Sequence, residues 1–582
     1  MTTIADLLLA RAGDDSAGLM AGDETFTWSE VLSASRARQC LLEDLLLPGP
    51  PHVAVLLGNV PEYVLWIGAA ALAGAAVVGA NPTHRGRDLA RDLSHTACQL
   101  LVTDSKHLPL VDGLDLGLAI GKVAADGPRI LVVDSPEYME ALARALSSAG
   151  AREGAPGIAR EGAPGIAREG APGIAREGAP EIAPGEPAPT RAPPATASRG
   201  PVEATLGFLV FTSGTSGAPK ACRCSQGRLA SIGSVIAQMF SIGPDDVCYV
   251  AMPLFHSNAL MAGLGPAIAS GAAIALPSGG RFSASGFLPD VRRYGATYFN
   301  YVGKPLTYVL ATPERPDDAD NTLTRVFGNE GSERDVASFA RRFGCAVVDS
   351  YGSTEGGAVV QRTPDTPPGA LGRGPEGTVV VNPETGEECP RARFDSSGRL
   401  ANPGEATGEL VSKTGAQGFE GYWENEEAER ARTRGGWYWT GDLAYRDEEG
   451  FFYFAGRSDD WMRVDGENFA AAPVARILER HRDVALACVY AVPDPTGGDQ
   501  VMAALELRPG TGFDGEDFAR FLAGEEDMGT KWAPRYVRIC ESLPTTATSK
   551  VLTRALRAEG LKCADPLWWR PGRDGPYVPF EG

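Results

Sequence analysis

The sequence predicts an α/β protein: a large amino-terminal domain of stacked α/β sheets that carries a β-rich subdomain, followed by a small, mobile α+β carboxy-terminal domain. Three observations predict it. Short apolar, β-branched runs alternate with helical periodicity on both sides of a proline-rich insertion, the pattern of largely parallel sheets. Between Gly369 and Phe454 the texture changes to short strands and turns. From about Arg457 a fresh series of strands and helices begins, about 120 residues long and of small-domain size.

Taken in order, His52–Leu57 reads as a strand. Asn59-Val-Pro-Glu62 then reads as a helix start. The uncharged stretch from Val64 to Ala80 approaches the length of a membrane span. Its Ala/Gly content favours a buried helix running into a short strand, Ala76–Gly79, and Ala259–Pro277 reads the same way. Arg85–His95 is predicted helical and Cys98–Thr103 a strand. Beyond the insertion, Ala221–Phe240 is expected to be helical, Cys248–Ala251 a strand, Arg325–Phe327 a strand, Ser332–Phe343 a helix and Ala346–Asp349 a strand. Thr378–Val381 and Gly408–Val411 belong to the β-rich subdomain. In the last unit, Phe469–Arg482 reads as a helix and Ala485–Val492 and Val501–Leu507 as strands. Glu516–Leu522 (helix), Tyr536–Ile539 (strand) and Val551–Glu559 (helix) complete it. The domains are therefore placed at 1–456 and 457–582, with a hinge at 458–460.

The insertion covers about residues 150–200. Gly154–Glu177 repeats Gly-Ala-Pro-Gly-Ile-Ala-Arg-Glu three times at a period of eight, and a degenerate proline-rich tail follows. Two glycines and a proline per unit suit neither helix nor strand. One isoleucine per unit is too little apolar surface to offset the entropy of ordering. A disordered loop is expected.

At 582 residues the chain needs two or three domains, and an apolar share of 43% is enough for a large core. A net charge of −20 argues against nucleic-acid partners and anionic membranes. A polyanionic substrate must then meet local cations such as Lys220, Arg457 or Lys550. Ten cysteines and six histidines show no metal-ligand spacing. Cys222 and Cys224, on one strand or turn, read as reduced structural thiols of a cytoplasmic protein. The start of the chain lacks the basic and apolar regions of a signal peptide. No transmembrane segment is read. Peripheral membrane contact and a homodimer are left open.

The stretch that carries most chemistry is Phe208-Leu-Val-Phe-Thr-Ser-Gly-Thr-Ser-Gly-Ala-Pro-Lys220. An apolar strand runs directly into hydroxyls and glycines. Glycines let backbone N–H groups turn onto an anion, and Ser/Thr hydroxyls add donors. Lys220 ends the loop with a point charge. The spacing Gly-x4-Gly-Lys-Ser/Thr is absent, so this is a polyphosphate loop of another kind.

That loop resembles the phosphate loop of the adenylate-forming superfamily of acyl-CoA synthetases, luciferases and peptide-synthetase adenylation domains. Five further motifs follow in the family's order: Pro253-Leu-Phe-His256, Asp349-Ser-Tyr-Gly-Ser-Thr-Glu355, Trp439-Thr-Gly-Asp442, Gly456-Arg-Ser-Asp-Asp460 and Pro544-Thr-Thr-Ala-Thr-Ser-Lys550. Thr548-Ser-Lys550, Gly466-Glu-Asn468, Lys220-Ala221 and the tail Pro566-Leu-Trp-Trp…Tyr577-Val-Pro-Phe look like the very-long-chain acyl-CoA synthetase or fatty-acid transport subgroup. The hinge is closer to the general bacterial form.

The resemblance implies ATP, Mg²⁺ and CoA, and it implies roles. Thr212, Ser213, Gly214, Thr215, Ser216, Gly217 and Lys220 would hold the β- and γ-phosphates. Tyr351 would stack on adenine beside a wall of Gly328, Asn329, Glu330 and Gly331. Thr354 would contact the α-phosphate and Glu355 would bind Mg²⁺. Asp442 would take the ribose hydroxyls, with Arg457 beside it. Lys550 would bridge the carboxylate and the α-phosphate. His256 would face the acid, Asp459 would be the hinge, and Gly466 would border the CoA channel. The implied activity is an acyl-CoA synthetase acting through an acyl-adenylate on an apolar acid: a long- or very-long-chain fatty acid or a steroid side-chain acid. Asn258, Asn300 and Lys304 are the polar candidates near the acid. The alternatives are a fatty acyl-AMP ligase that loads a carrier protein, and a non-catalytic acyl-binding or uptake protein.

Overall fold

The computed structural model describes residues 2–116, 129–153, 201–212, 220–396, 398, 400–457, 461–464, 467–493, 499–525, 527–529, 531–546, 551–572 and 575–580. The octapeptide repeat, Ser213–Gly217, Asp459, Gly466 and Lys550 lie outside them.

Strands β1 (Ala17–Ala21) and β2 (Glu24–Thr27) form a hairpin. Strands β3 (His52–Leu56), β4 (Ala76–Gly79), β5 (Leu100–Thr103) and β6 (Ile130–Val132) alternate with helices. They are followed by β7 (Leu206–Thr212) and β8 (Lys220–Ser225), then by β9 (Val247–Tyr249), β10 (Ala273–Leu276), β11 (Tyr298–Val302), β12 (Arg325–Asn329) and β13 (Ala346–Asp349). They build two sheets, in the orders β6-β5-β3-β4-β7-β8 and β13-β12-β11-β9-β10-β1-β2. Each is parallel except at one edge, β7–β8 in the first and β1–β2 in the second. The core lies between them. Along β3, Val53 and Val55 point into the large cluster with Trp66, Phe208 and Phe299, while Ala54 and Leu56 point the other way, onto Leu89 and Leu93. That is the period-2 alternation of a strand buried on both faces.

The stretch from Val64 to Ala80 is resolved as expected. Pro61–Ala73 is a helix with proline at its first position, and Gly74 ends it with φ +69°. Its neighbours bury both sides, and among the described residues no helix is long and apolar enough to cross a membrane. Ala259–Pro277 also runs helix into strand, but its first six residues, Ala259–Leu264, form a π-helical turn.

Two helix expectations need correction. Ala221–Ser225 is strand, paired antiparallel with β7, and the helix begins at Gln226 and ends at Met239. Ser225 caps it, its Oγ accepting from Arg228 N at 3.1 Å. The alternation of Cys222 and Cys224 is a strand signal inside an apparently helical window. Likewise Phe469 and Ala470 belong to a strand, and the following helix spans only Ala471–Leu478.

After β13 come a two-stranded pair, β14 (Tyr351–Gly352) and β15 (Val359–Val360), and an antiparallel sheet of β16 (Thr378–Val381), β17 (Gly408–Ser412), β18 (Tyr438–Arg446) and β19 (Phe452–Arg457). This is the β-rich subdomain. A hairpin, β20 (Trp461–Val464) and β21 (Glu467–Ala470), leads to the small domain. Its sheet runs β22 (Val484–Pro493), β23 (Asp499–Leu507), β24 (Tyr536–Cys540), β25 (Leu567–Trp569) and β26 (Val578–Pro579). Val474, Leu478, Phe518 and Leu522 from two helices cover one face of it, and Leu556 packs on the other. The aromatic tail supplies the last two strands, β25 and the edge strand β26, anchored by the Tyr577 hydroxyl donating to Pro534 O at 2.6 Å.

Candidate active site

A cleft of about 2900 Å³ opens between the large and small domains. Most of the described residues named from the sequence border it: Thr212, Lys220, His256, Asn329, Glu330, Tyr351, Thr354, Glu355 and Asp442. The strand-to-loop topology explains this convergence. Parallel strands end on one side of a sheet, and the segments that leave their carboxyl ends share one crevice.

Thr212 and Lys220 are directly paired in the β7–β8 register. Both residues border the cleft. Cys222 and Cys224 follow on β8, buried, and burial pushes the Cys224 thiol up to about 12. These thiols are inert packing groups.

The wall expected at Gly328–Gly331 is tied down by Asp349. Gly328 pairs with Asp349 in the β12–β13 register. Asp349 Oδ2 accepts from Gly331 N at 2.8 Å and from the Tyr301 hydroxyl at 2.5 Å. Burial pushes the Asp349 carboxyl up to about 6, against the pull of those two hydrogen bonds. Asn329 Nδ2 donates to Ser350 O at 2.6 Å. Between them Glu330 has φ +67°. A non-glycine residue in the left-handed region is strained, and such residues cluster at functional sites.

Tyr351, on β14, donates its hydroxyl to Asp442 Oδ2 at 2.5 Å. The two expected nucleotide contacts are thus one unit. Asp442 sits on β18 where its pairing with β17 is irregular, and the neighbouring residues are tied down: Thr440 Oγ1 donates to Leu410 O at 2.7 Å, and Gly441 N donates to Glu409 Oε1 at 2.7 Å. The β18–β19 register sets Arg457 opposite Asp442.

Thr354 and Glu355 are held by residues that no sequence motif pointed to. Thr354 Oγ1 lies 2.7 Å from Ser257 Oγ, and the Thr354 carbonyl accepts from Arg228 Nη2 at 2.6 Å. Gly356, with φ +72°, passes so close that a Cβ there would lie 2.3 Å from Arg228 Nη2. Glu355 is buried, and its Oε1 accepts from the Tyr422 hydroxyl at 2.8 Å. Arg432, which also borders the cleft, donates to Trp439 O at 3.1 Å. Arg228 had one signal in the sequence: it is the charged residue that opens a stripe of Ile232, Val235, Ile236 and Met239 at helical spacing.

That stripe lines the cleft, as do Met261 and Phe327. Val235 and Met239 are 52% and 46% exposed. This part of the cleft is apolar and open. His256 follows a turn closed by its own N–H to Pro253 O at 3.0 Å, with its ring 4.3 Å from that of Phe255. The three polar candidates for the acid are otherwise engaged. Asn300 Nδ2 donates to Asn258 Oδ1 at 2.7 Å, Asn258 Nδ2 donates to Tyr301 O at 2.9 Å, and Lys304 pairs with Glu479 at 3.4 Å.

The small domain supplies the opposite wall, with Thr545, Thr546, Val551 and Leu552. Thr545 and Val551 form a bridge, and Leu552 N donates to Pro544 O at 2.7 Å. The ends of the segment that carries Lys550 are therefore pinned at the cleft.

A family model described as AMP-binding enzyme matches residues 9–423, and one described as AMP-binding enzyme C-terminal domain matches residues 474–550. The chain is 48% identical over 576 residues to steroid-22-oyl-CoA synthetase of Rhodococcus jostii (strain RHA1), covering 99% of this chain and 94% of that one. It is 46% identical over 567 residues to the medium/long-chain-fatty-acid–CoA ligase FadD17 of Mycobacterium tuberculosis (strain ATCC 25618 / H37Rv), covering 97% and 98%. Among solved structures it is similar to a benzoate CoA ligase from Burkholderia xenovorans LB400, with TM-score 0.73, 20% identity and coverage of 96% and 100%. It is also similar to the anthranilate CoA ligase AuaEII in complex with anthranoyl-AMP, with TM-score 0.72, 19% identity and coverage of 96% and 97%.

Proposed function

The chain belongs to the AMP-binding enzyme family, and from that premise we propose that it is an ATP-dependent acyl-CoA synthetase for large apolar carboxylic acids. The observation that carries the acid class is the uncharged stripe Ile232, Val235, Ile236 and Met239, which leads away from the Thr354–Glu355 turn toward an open end. From Arg228 to Met239 the helix rises about 16 Å. A long acyl chain or a fused-ring body fits beside it, and the relatives named for steroid-22-oyl and medium/long-chain acids agree.

A carboxylate is a poor acyl donor because its leaving group is oxide. In the first step its oxygen attacks the α-phosphorus of ATP, the bond to the β-phosphate oxygen breaks, and pyrophosphate leaves. In the second the CoA thiol attacks the acyl carbon, loses its proton, and AMP leaves. Charge develops at the α-phosphate first and at the acyl carbonyl oxygen second, and fixed donors stabilise each.

In this reading the loop from Thr212 to Lys220 binds the outer phosphates. Tyr351 faces adenine, with Gly328–Gly331 as its neighbour. Asp442 accepts from the ribose while Tyr351 fixes its other side, and Arg457 stands opposite. Thr354 and Lys550 contact the α-phosphate, and His256 borders the acid. Glu355 fits Mg²⁺, because a buried carboxylate oriented by one hydroxyl and facing the cleft is a suitable ligand for a hard cation. That ion would neutralise phosphate charge. Arg228 and Ser257 hold the Thr354–Glu355 turn rigid, so its donors need no rearrangement when charge develops. We place the domain boundary at residue 457, with Asp459 as the hinge and Gly466 beside the CoA path, in a cytoplasmic enzyme.

The test is a panel of laurate, palmitate, stearate, benzoate and a steroid-22-oic acid, each with ATP and with or without CoA. Acyl-CoA and AMP are followed by mass spectrometry. The reading expects acyl-CoA from the large apolar acids and little from benzoate. Adenylate without thioester in the presence of CoA, or no AMP from any acid, would overturn it.

A further inference from the structure

Lys304 has no role in the chemistry above. It follows β11 and precedes the short helix Pro305–Leu310 of the large domain. Its side chain is 18% exposed, and Nζ lies 3.4 Å from Glu479 Oε1, itself on a side chain 16% exposed. Glu479 directly follows the Ala471–Leu478 helix of the small domain, and the same oxygen lies 3.4 Å from Ala487 N at the start of β22. This ion pair therefore joins the two bodies across the cleft. Burial works against the ammonium, but Glu479, then Asp335 and Glu330, outweigh it and hold Lys304 above its ordinary value. One turn further along the same helix, Tyr308 packs on the small-domain cluster around Leu486 and Leu556.

Neutralising one partner while the bodies stay together leaves the other charge in a partly dry site, which is costly. The pair spans the two bodies in this orientation, so it is tied to this arrangement of the cleft. In this orientation Thr545, Thr546, Val551 and Leu552 of the small domain line the same cleft as Tyr351, Thr354 and Asp442. That is the arrangement adenylate formation requires, since the nucleotide must be enclosed by both walls. The CoA thiol must reach the acyl carbon later, through the same cleft.

We propose that Lys304 and Glu479 are positioning residues that fix the small domain against the nucleotide wall for adenylate formation, and that they do not serve thioester formation. The inference rests on the two-step reaction proposed above. A charge reversal is a poor probe, because a glutamate at 304 would face Glu330 and Asp335. Neutral variants are cleaner: Lys304→Met, Glu479→Gln and the double variant.

Two rates are measured on each preparation: ATP–pyrophosphate exchange with laurate or the steroid-22-oic acid, whichever the unmodified protein activates, and thioester formation from the matching synthetic acyl-AMP and CoA. Each single variant is expected to lose about tenfold or more in exchange. The double variant should lose no more than the worse single one, because a shared interaction can be removed only once. Thioester formation from acyl-AMP should stay within about twofold of the unmodified protein, which also shows that the variants fold. Losses that multiply in the double variant, equal losses in both half-reactions, or unchanged exchange would each overturn the proposal. Failure of the unmodified protein to exchange would refute the synthetase reading instead, so the two outcomes are separable.

Discussion

Replacing Asp349 by asparagine tests how the Gly328–Gly331 wall of the cleft is held. Asp349 is 7% exposed, and its carboxyl is pushed from 3.8 to about 6 by burial. A folded-state value above the unfolded one means that the folded protein holds the proton more tightly. The contribution to stability is complete below pH 3.8 and is lost as the pH rises through about 6. The gap between the two values, at about 1.36 kcal/mol per pH unit, corresponds to a cost of roughly 3 kcal/mol at neutral pH. Roughly 2 kcal/mol of it develops between pH 4.5 and 7.5 by the same linkage. Asparagine keeps an acceptor for Tyr301 and Gly331 but does not titrate. Urea unfolding of both proteins at several pH values isolates the difference, since the other carboxylates cancel. The stability of Asp349→Asn relative to the unmodified protein should therefore rise by roughly 2 kcal/mol from pH 4.5 to 7.5. A difference independent of pH would refute the assignment of a raised, buried carboxyl at this position. A difference that falls with pH would mean that the Tyr301 and Gly331 hydrogen bonds dominate over burial.

Three further outcomes follow from the site. Glu355→Gln keeps the Tyr422 hydrogen bond but removes the charge, so the magnesium concentration for half-maximal activity should rise several-fold and turnover should fall; an unchanged magnesium titration would exclude Glu355 as a ligand. Lys550→Ala should lose pyrophosphate exchange by several orders of magnitude while keeping most thioester formation from supplied acyl-AMP, because only the first step builds charge at the α-phosphate; equal losses in both would refute that role. Deleting Gly154–Pro194 should leave activity and melting temperature nearly unchanged, since one isoleucine per octapeptide offers little to a core; loss of soluble protein would show that the repeat is structural.

The fold was legible wherever a signal lay within one contiguous run. Val53–Leu57, Val77–Val78 and Leu100–Val102 are unbroken apolar stretches, which is how strands buried on both faces read. The Pro61–Ala73 helix carried its own start and stop in Pro61 and Gly74. Reading failed where two periods overlapped. Cys222 and Cys224 alternate as a strand requires, but the window from Ala221 to Phe240 is dominated by the helix behind them. Phe469 and Ala470 were absorbed into the next helix because β21 is short and its pairing with β20 is invisible without the hairpin. The site divides in the same way. Thr354, Glu355 and Asp442, which the structure brings to the cleft, sit in short local motifs. Arg228, Ser257, Tyr422 and Asp349 act through partners distant in sequence: Arg228 reaches Thr354 from 126 residues away, and Tyr422 reaches Glu355 across 67. No spacing rule covers such pairs. What the sequence does show at Arg228 is a cost, one charge at the head of an apolar helical stripe. A half-buried guanidinium is favoured where carbonyls or anions take its hydrogen bonds. Here the carbonyls it takes belong to Arg223 and Thr354, so the charge at the head of the stripe ties the helix to the Thr354–Glu355 turn.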